Sequence, residues 1–133
     1  MTAEEATRRA RAILWLDGGS GLGAGIAVLI VHGWLATLHA VAPDLMLGIG
    51  VVNVLYGSYS GTLAMLATRR GRIPARRAVS LLVLANLGWA AVCATLIATT
   101  HASPFFYLHV AFEGAYVTAL AAAEWRWVRP AAR

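Results

Sequence analysis

The chain has 133 residues and a formal net charge of +5, with 59% of its residues apolar and 13% charged. An ordinary soluble domain has roughly 45–50% apolar and about 25% charged residues. A soluble core of this size could not bury so much apolar surface, so the composition predicts a single domain, residues 1–133, whose solvent is lipid. The single cysteine, Cys93, excludes an intrachain disulfide.

All the basic residues are arginines, and they form three clusters. The clusters are Arg8, Arg9 and Arg11; Arg69, Arg70, Arg72, Arg76 and Arg77; and Arg126, Arg129 and Arg133. They flank apolar runs without an aromatic-interleaved basic surface, so no nucleic acid partner is expected. The positive-inside rule instead predicts that both termini and the middle loop lie in the cytoplasm. A bacterial inner membrane is the expected location.

Four apolar runs predict four transmembrane helices. They cover about residues 13–40, 45–68, 75–99 and 104–128, each long enough for a hydrocarbon layer of about 30 Å. Asp44 is expected to cap the second span, and Ser103 the fourth, with Pro104 at the first helical position. The fold class is therefore all-α: a polytopic membrane protein with a four-transmembrane-helix bundle and both termini cytoplasmic.

Glycines in the first two spans predict close helix packing. The segments Gly21-x3-Gly25 and Gly57-x3-Gly61 place two small residues on one helical face. Such faces let helix backbones approach closely, either within one bundle or between two copies. A homo-oligomer, most simply a dimer, is therefore expected.

The fourth span carries a histidine and a carboxylate one turn apart, His109 and Glu113. An unpaired carboxylate near the bilayer middle costs at least ~2.5–3.5 kcal/mol, which makes it a candidate functional group. His109, four residues earlier, can hold or share a proton with it. We therefore predict a catalytic acid/base pair, with a hydrogen-bonded pair that only fixes helix packing as the alternative.

Each span presents polar or small residues on one face when residues are placed at 100° steps. The expected ligand-binding residues on these faces are His32, Asn53, Tyr56, Asn86, Trp89 and Tyr116. Counted from the span ends, Asn53, Asn86 and Glu113 lie at a similar depth of roughly 13–16 Å. A bundle that turns these faces inward would contain a polar pocket in an otherwise apolar protein.

Two further polar residues lie near the predicted span ends. Asp17, close to the inner boundary, is expected to pair with Arg11 or Arg126. His39 is expected at the outer rim, on a solvated face.

No metal or other cofactor is expected from the sequence. A b-type haem is the alternative, because His32 and His109 on facing helices could supply its two axial imidazoles. No other feature of the sequence indicates haem.

The segment His109-x3-Glu113-Gly114-x-Tyr116-Val117 resembles the histidine-x3-glutamate-glycine segment of the emopamil-binding (EXPERA) family of sterol isomerases. Asn86-x2-Trp89 resembles that family's asparagine-x2-tryptophan pair, although here it precedes the histidine segment instead of following it. The resemblance implies an intramembrane cavity in which His109 and Glu113 move the proton during double-bond isomerisation. It also implies that Asn86 and Trp89 stabilise a charged intermediate. The rest of the chain resembles small four-span bacterial membrane proteins.

Three functions are compatible with these features. The first is an intramembrane pocket that binds a hydrophobic small molecule, with isomerase-like acid/base catalysis by His109 and Glu113. The second is a proton-coupled small-molecule transporter that acts as a dimer, with Glu113 as the titrating site. The third is a noncatalytic assembly or accessory subunit whose polar face docks a partner. The expected partners are the lipid bilayer, a hydrophobic small molecule and a second copy of the chain.

Overall fold

The computed structural model describes residues 2–132, which form helices and short turns without any strand. The helices are α1 (Ala3–His39), α2 (Pro43–Arg70), α3 (Arg76–Thr99) and α4 (Pro104–Ala123). A π-helical turn (Glu124–Val128) and a short 3-10 turn (Arg129–Ala131) continue α4. Four helices are long and apolar enough to cross a membrane, if α4 is counted to Ala131. The predicted all-helical, four-helix bundle is confirmed at this level.

The starts of α4 and α2 follow from local sequence. Ser103 caps α4 by accepting a hydrogen bond from the backbone N–H three residues later, and Pro104 occupies the first helical position, as predicted. The prediction that Asp44 caps α2 is wrong. The cap position is Ala42, because Pro43 already occupies the first helical position. Asp44 therefore lies in the first turn, where its carboxylate favours the helix N-terminus.

The helices form two hairpins, α1–α2 and α3–α4. Helices α1 and α2 pack closely because glycines remove side chains from their contact: a Cβ at Gly57 would overlap the backbone of Leu22. The α3–α4 hairpin contacts α1 partly through the turn after α4, whereas α2 and α3 make very few contacts with each other. The space between the hairpins is therefore open along part of its length.

Helix α1 bends at Val31, whose φ of −112° and ψ of 16° lie outside the helical range. The ring Nδ1–H of His32 donates to the Leu29 carbonyl at 2.8 Å. In a regular helix that carbonyl accepts from the amide of Gly33. A side chain that enters the backbone hydrogen-bond ladder is a common cause of a kink, so the His32 ring accounts for the bend.

Apolar clusters close both ends of the space between the hairpins. We call the end with the termini and the α2–α3 turn the arginine end, and the end with the other two turns the histidine end. The arginine end is filled by Ala10, Leu14, Leu63, Ala64, Ala67, Ile73, Val79, Leu82 and Val128. The histidine end is filled by Val28, Ala36, Met46 and Ile49 and, beside them, Cys93, Phe106 and Val110. Polar side chains are concentrated between these clusters.

Candidate functional site

A cavity of about 710 Å³ lies between the two hairpins. All four helices contribute to its walls, which are mostly apolar. Its lining includes Leu55, which is 67% exposed, and Phe112, which is 71% exposed. Since these side chains face outward, the cavity reaches the side of the bundle, while the apolar clusters close its ends.

All the predicted site residues except His32 line this cavity. They are Asn53, Tyr56, Asn86, Trp89, His109, Glu113 and Tyr116. His32 lies outside the cavity and bonds to its own helix. The prediction placed it by regular 100° steps along α1, and those steps do not continue across the bend at Val31.

The Glu113 carboxylate accepts hydrogen bonds from uncharged side chains on two neighbouring helices. The indole N–H of Trp89 donates to Glu113 Oε1 at 2.8 Å, and the amide of Asn53 donates to the same oxygen at 3.1 Å. Asn53 also donates to the Ile49 carbonyl, which fixes the orientation of its amide. Helices α2, α3 and α4 therefore converge on one carboxylate oxygen, and neither of the two bonds to Glu113 uses Oε2.

His109 is bonded to a histidine and not to Glu113. Its Nδ1 lies 3.0 Å from Nε2 of His39, and the two rings meet edge to face with centroids 5.2 Å apart. Within residues 2–132 no hydrogen bond or ion pair joins His109 to Glu113. The two side chains share the cavity without the direct contact that their spacing suggests.

The prediction that His39 is solvated is wrong, since its side chain is only 3% exposed. The start of α4 covers it. Ser103 donates its backbone N–H to the His39 carbonyl and its hydroxyl to the Leu38 carbonyl, both at 2.9 Å. The ring of Phe106 then packs edge to face on His39 at 5.9 Å. These contacts make His39 part of the interior.

A second polar cluster lies toward the arginine end, and we call it the floor cluster. Asp17 Oδ2 accepts hydrogen bonds from the hydroxyls of Tyr56, at 2.6 Å, and Ser60. The amide of Asn86 donates to Glu124 Oε2 at 3.1 Å. Asp17 and Tyr56 from the first group and Asn86 from the second all line the cavity. All its members except Tyr56 are at most 1% exposed.

The surroundings of Asp17 and Asn86 in the floor cluster differ from the sequence prediction. The predicted ion pair of Asp17 with Arg11 or Arg126 is wrong, because the close approach of α1 to α2 places Asp17 against hydroxyl groups. Asn86, predicted at the depth of Glu113, bonds instead to Glu124. The amide beside Glu113 comes from α2, as Asn53.

Tyr116 joins the wall of the cavity to α1. Its hydroxyl donates to Ser20 Oγ at 3.0 Å, and the Ser20 hydroxyl donates to the backbone carbonyl of Asp17. This chain of bonds lies between the floor cluster and α4. It ties the two hairpins together across the cavity.

Glu124 belongs to the site but not to the set of site residues predicted from the sequence. It follows Glu113 by eleven residues (124 − 113), and eleven steps of 100° return to within about 20° of the same helical face. Continuing the stripe from His109 through Glu113 and Leu120 would have reached it. Tryptophan and arginine beside it, at Trp125 and Arg126, are typical of a membrane boundary, which in sequence places Glu124 at the end of the span and not on its polar face.

The cavity offers acid/base groups more readily than metal ligands. Within residues 2–132 no group of three or more His, Cys, Asp or Glu side chains could hold a metal ion. A haem needs two axial imidazoles that face each other. In this structure His109 bonds to His39, and His32 bonds to its own helix outside the cavity.

The chain was compared with known proteins at three levels. Neither protein-family models, nor curated proteins, nor solved structures give a match to it.

Proposed function

We propose that this protein is a multi-pass protein of the bacterial cytoplasmic membrane that binds a hydrophobic small molecule and performs isomerase-like acid/base chemistry on it. One observation carries the proposal. Glu113 lines a mostly apolar cavity, and its Oε1 accepts hydrogen bonds from Trp89 and Asn53. Its Oε2 is therefore available to a bound molecule.

The size and lining of the cavity support an apolar ligand. Its volume of about 710 Å³ falls within the range of roughly 300–1,000 Å³ that small-molecule sites occupy. Such sites combine apolar walls with a few placed polar groups, which is the composition found here. A ligand dissolved in lipid would enter from the side of the bundle, past Leu55 or Phe112, since apolar clusters close both ends.

Glu113 is the proposed proton donor and acceptor. Two hydrogen bonds to Oε1 fix the plane of the carboxyl group, so a proton on Oε2 has a defined direction. His109 lines the same cavity and shares a hydrogen bond with His39, so this pair of rings can take up or return a proton. The face of Trp89 can stabilise a cationic intermediate through its π system.

The resemblance to the emopamil-binding isomerases agrees with part of this assignment. His109, Glu113 and Trp89 all line one cavity, which is the arrangement that the resemblance implies. Asn86 differs, because it bonds to Glu124, and Asn53 supplies the amide beside Glu113. The proposed reaction type therefore rests on Glu113 and its two donors.

The proposed orientation places the arginine end in the cytoplasm. The start of α1, the α2–α3 turn and the turns after α4 lie at that end, and the arginines of residues 2–132 all lie in or beside them. The turns at the histidine end contain no arginine or lysine. This asymmetry is the one that the positive-inside rule describes.

The test combines ligand identification with proton exchange. Protein extracted in mild detergent is analysed by mass spectrometry for apolar molecules that remain bound, and is then incubated with them in deuterium oxide. We expect deuterium to enter the bound molecule in the wild type and in Asp44→Asn, a control at an exposed carboxylate outside the cavity. Glu113→Gln should slow this exchange by about 10²–10⁴-fold. A wild type without a bound apolar molecule, or exchange unchanged in Glu113→Gln, would refute the proposal.

A second candidate is proton-coupled transport of a small molecule by a dimer. Ionisable side chains follow one another along the cavity: Asp17 and Glu124 near the arginine end, Glu113 in the middle, and His109 and His39 near the histidine end. Chains of this kind mark proton pathways in transporters. Proton release when substrate is added to purified protein, and its loss in Glu113→Gln without any chemical change in the substrate, would favour transport.

A further inference from the structure

The floor cluster has more hydrogen-bond acceptors than donors. The hydroxyls of Tyr56 and Ser60 both donate to Asp17, and the amide N–H of Asn86 donates to Glu124. Two buried oxygens, Asn86 Oδ1 and Glu124 Oε1, have no hydrogen-bond partner within residues 2–132. Buried polar atoms are nearly always partnered, so a hydrogen-bond donor or a cation is expected beside these two oxygens.

The charge of the cluster leads to the same conclusion. The side chains of Asp17 and Glu124 are both buried, and no arginine or histidine of the described chain bonds to either. Two buried carboxylates in one polar cluster repel one another when both are ionised. One proton shared between them removes one negative charge. A single positive ion would neutralise the other.

We propose that the floor cluster binds one monovalent alkali cation of the size of Na⁺. The ligands are carboxylate oxygens of Asp17 and Glu124 and the amide Oδ1 of Asn86, with the hydroxyl oxygens of Ser60 and Tyr56 in the same cluster. Hard cations select an all-oxygen set of this kind, whereas imidazole and thiolate ligands of transition metals are absent from the cluster.

Two features of the fold suit an ion site at this position. Asp17 and Asn86 line the cavity, which provides a route from the cavity to the cluster. Glu124 begins the π-helical turn that follows α4, and π-helical turns often occur at functional sites. The ion site is independent of the proposed chemistry at Glu113, because Glu113 makes no bond to any member of the cluster.

Equilibrium dialysis with radiolabelled Na⁺ tests the site on the full-length protein in detergent. Ionic strength and pH are held constant with N-methylglucamine chloride. We expect saturable binding that approaches one ion per chain, and a Tm that rises with Na⁺ but not with N-methylglucamine. Glu124→Gln and Asn86→Leu should each weaken binding by about tenfold or more, because each removes an oxygen ligand or its charge.

Two control variants make the result specific. Asp44→Asn should bind Na⁺ as the wild type does, because Asp44 is exposed at the opposite end of α2. Glu113→Gln should also retain Na⁺ binding, so that failure of the acid/base proposal and failure of the ion site are distinguished. If the floor variants do not fold, Ser60→Ala replaces them, since it keeps both carboxylates and is expected to weaken binding.

Three results would overturn the proposal. The first is wild-type protein without saturable Na⁺ binding, which is the result for a cluster that holds only protons and water. The second is equal Na⁺ affinity in the wild type and in every folded floor variant. Displacement of the label by methylammonium at lower concentrations than by unlabelled Na⁺ would assign the site to an amine instead, and would also overturn the proposal.

Discussion

His39 Nε2 and His109 Nδ1 lie 3.0 Å apart, and the hydrogen bond between them joins the last turn of α1 to α4. One ring must donate and the other accept, so a single proton lies between the two nitrogens when both rings are neutral. His109 faces the cavity and His39 is covered by Phe106. The pair therefore connects the cavity to the buried interior of the histidine end.

A double-mutant cycle should detect this bond. His39→Leu, His109→Leu and the double variant are compared by their free energies of unfolding in detergent. We expect a coupling energy near ~0.6 and at most about 1.7 kcal/mol, the range found for hydrogen bonds between membrane helices. The matched cycle pairs His109→Leu with His101→Leu, whose histidine is exposed, and should give no coupling. Equal coupling in the two cycles would contradict the assignment.

Trp89→Phe should impair the chemistry at Glu113 more than it impairs folding. The substitution keeps an aromatic wall but removes the N–H that bonds Glu113 Oε1 at 2.8 Å. We expect deuterium exchange into the bound molecule to slow by about tenfold or more, with a loss of about 1 kcal/mol in the free energy of unfolding. Trp34→Phe, at an exposed tryptophan outside the cavity, is the control and should change neither. Exchange that stays at the wild-type rate in Trp89→Phe would show that this N–H does not orient Glu113.

The helical bundle and most of the cavity lining can be predicted from sequence, because both depend on features that run along the chain. Apolar runs define the helices, and 100° steps place Asn53, Asn86 and Trp89 on inward faces. The partners of these side chains cannot be predicted in this way, since they depend on how far one helix slides past another. Position along the spans predicts Asn86 at the depth of Glu113, whereas the offset between α3 and α4 places it against Glu124.

Local changes in backbone hydrogen bonding explain the other differences. The bend at Val31 separates His32 from the face on which regular spacing places it. The turn at the start of α4 folds over His39 and buries a residue that a linear profile puts in solvent. Residue spacing predicts neither the bend nor this turn, because both arise from a few specific hydrogen bonds.

Gly57→Ala should destabilise the α1–α2 hairpin. A Cβ at this position would overlap the Leu22 backbone, and backbone atoms cannot move aside cheaply. We expect the free energy of unfolding to fall by about 1–3 kcal/mol, as for overpacked cores. Gly61→Ala is the control within the same small-residue segment, since a Cβ there meets no atom within 4 Å. A similar loss of stability in both variants would mean that the two helices are not packed as described.

Cysteine labelling should place the two ends of the bundle on opposite sides of the membrane. In a Cys93→Ser background, His101→Cys lies at the histidine end and Ala75→Cys at the arginine end, both at exposed positions. We expect a membrane-impermeant maleimide to label His101→Cys in intact cells, and Ala75→Cys only after permeabilisation. Neither substitution alters an arginine. The reverse pattern of labelling would show that the arginine end faces outward.

Gly88→Leu should exclude the ligand without unfolding the protein. Gly88 lines the cavity, and a Cβ there meets no atom within 4 Å, so a leucine side chain would extend into open space. We expect the occupancy of the co-purified molecule to fall by about tenfold or more, because leucine takes volume that the molecule would fill. Stability should stay the same or rise, since leucine is a better helix former than glycine by about 1 kcal/mol.

Gly48→Leu, at an equally open glycine of α2 that does not line the cavity, should leave occupancy unchanged. Equal occupancy in the two variants, measured by mass spectrometry, would mean that the molecule binds elsewhere on the protein.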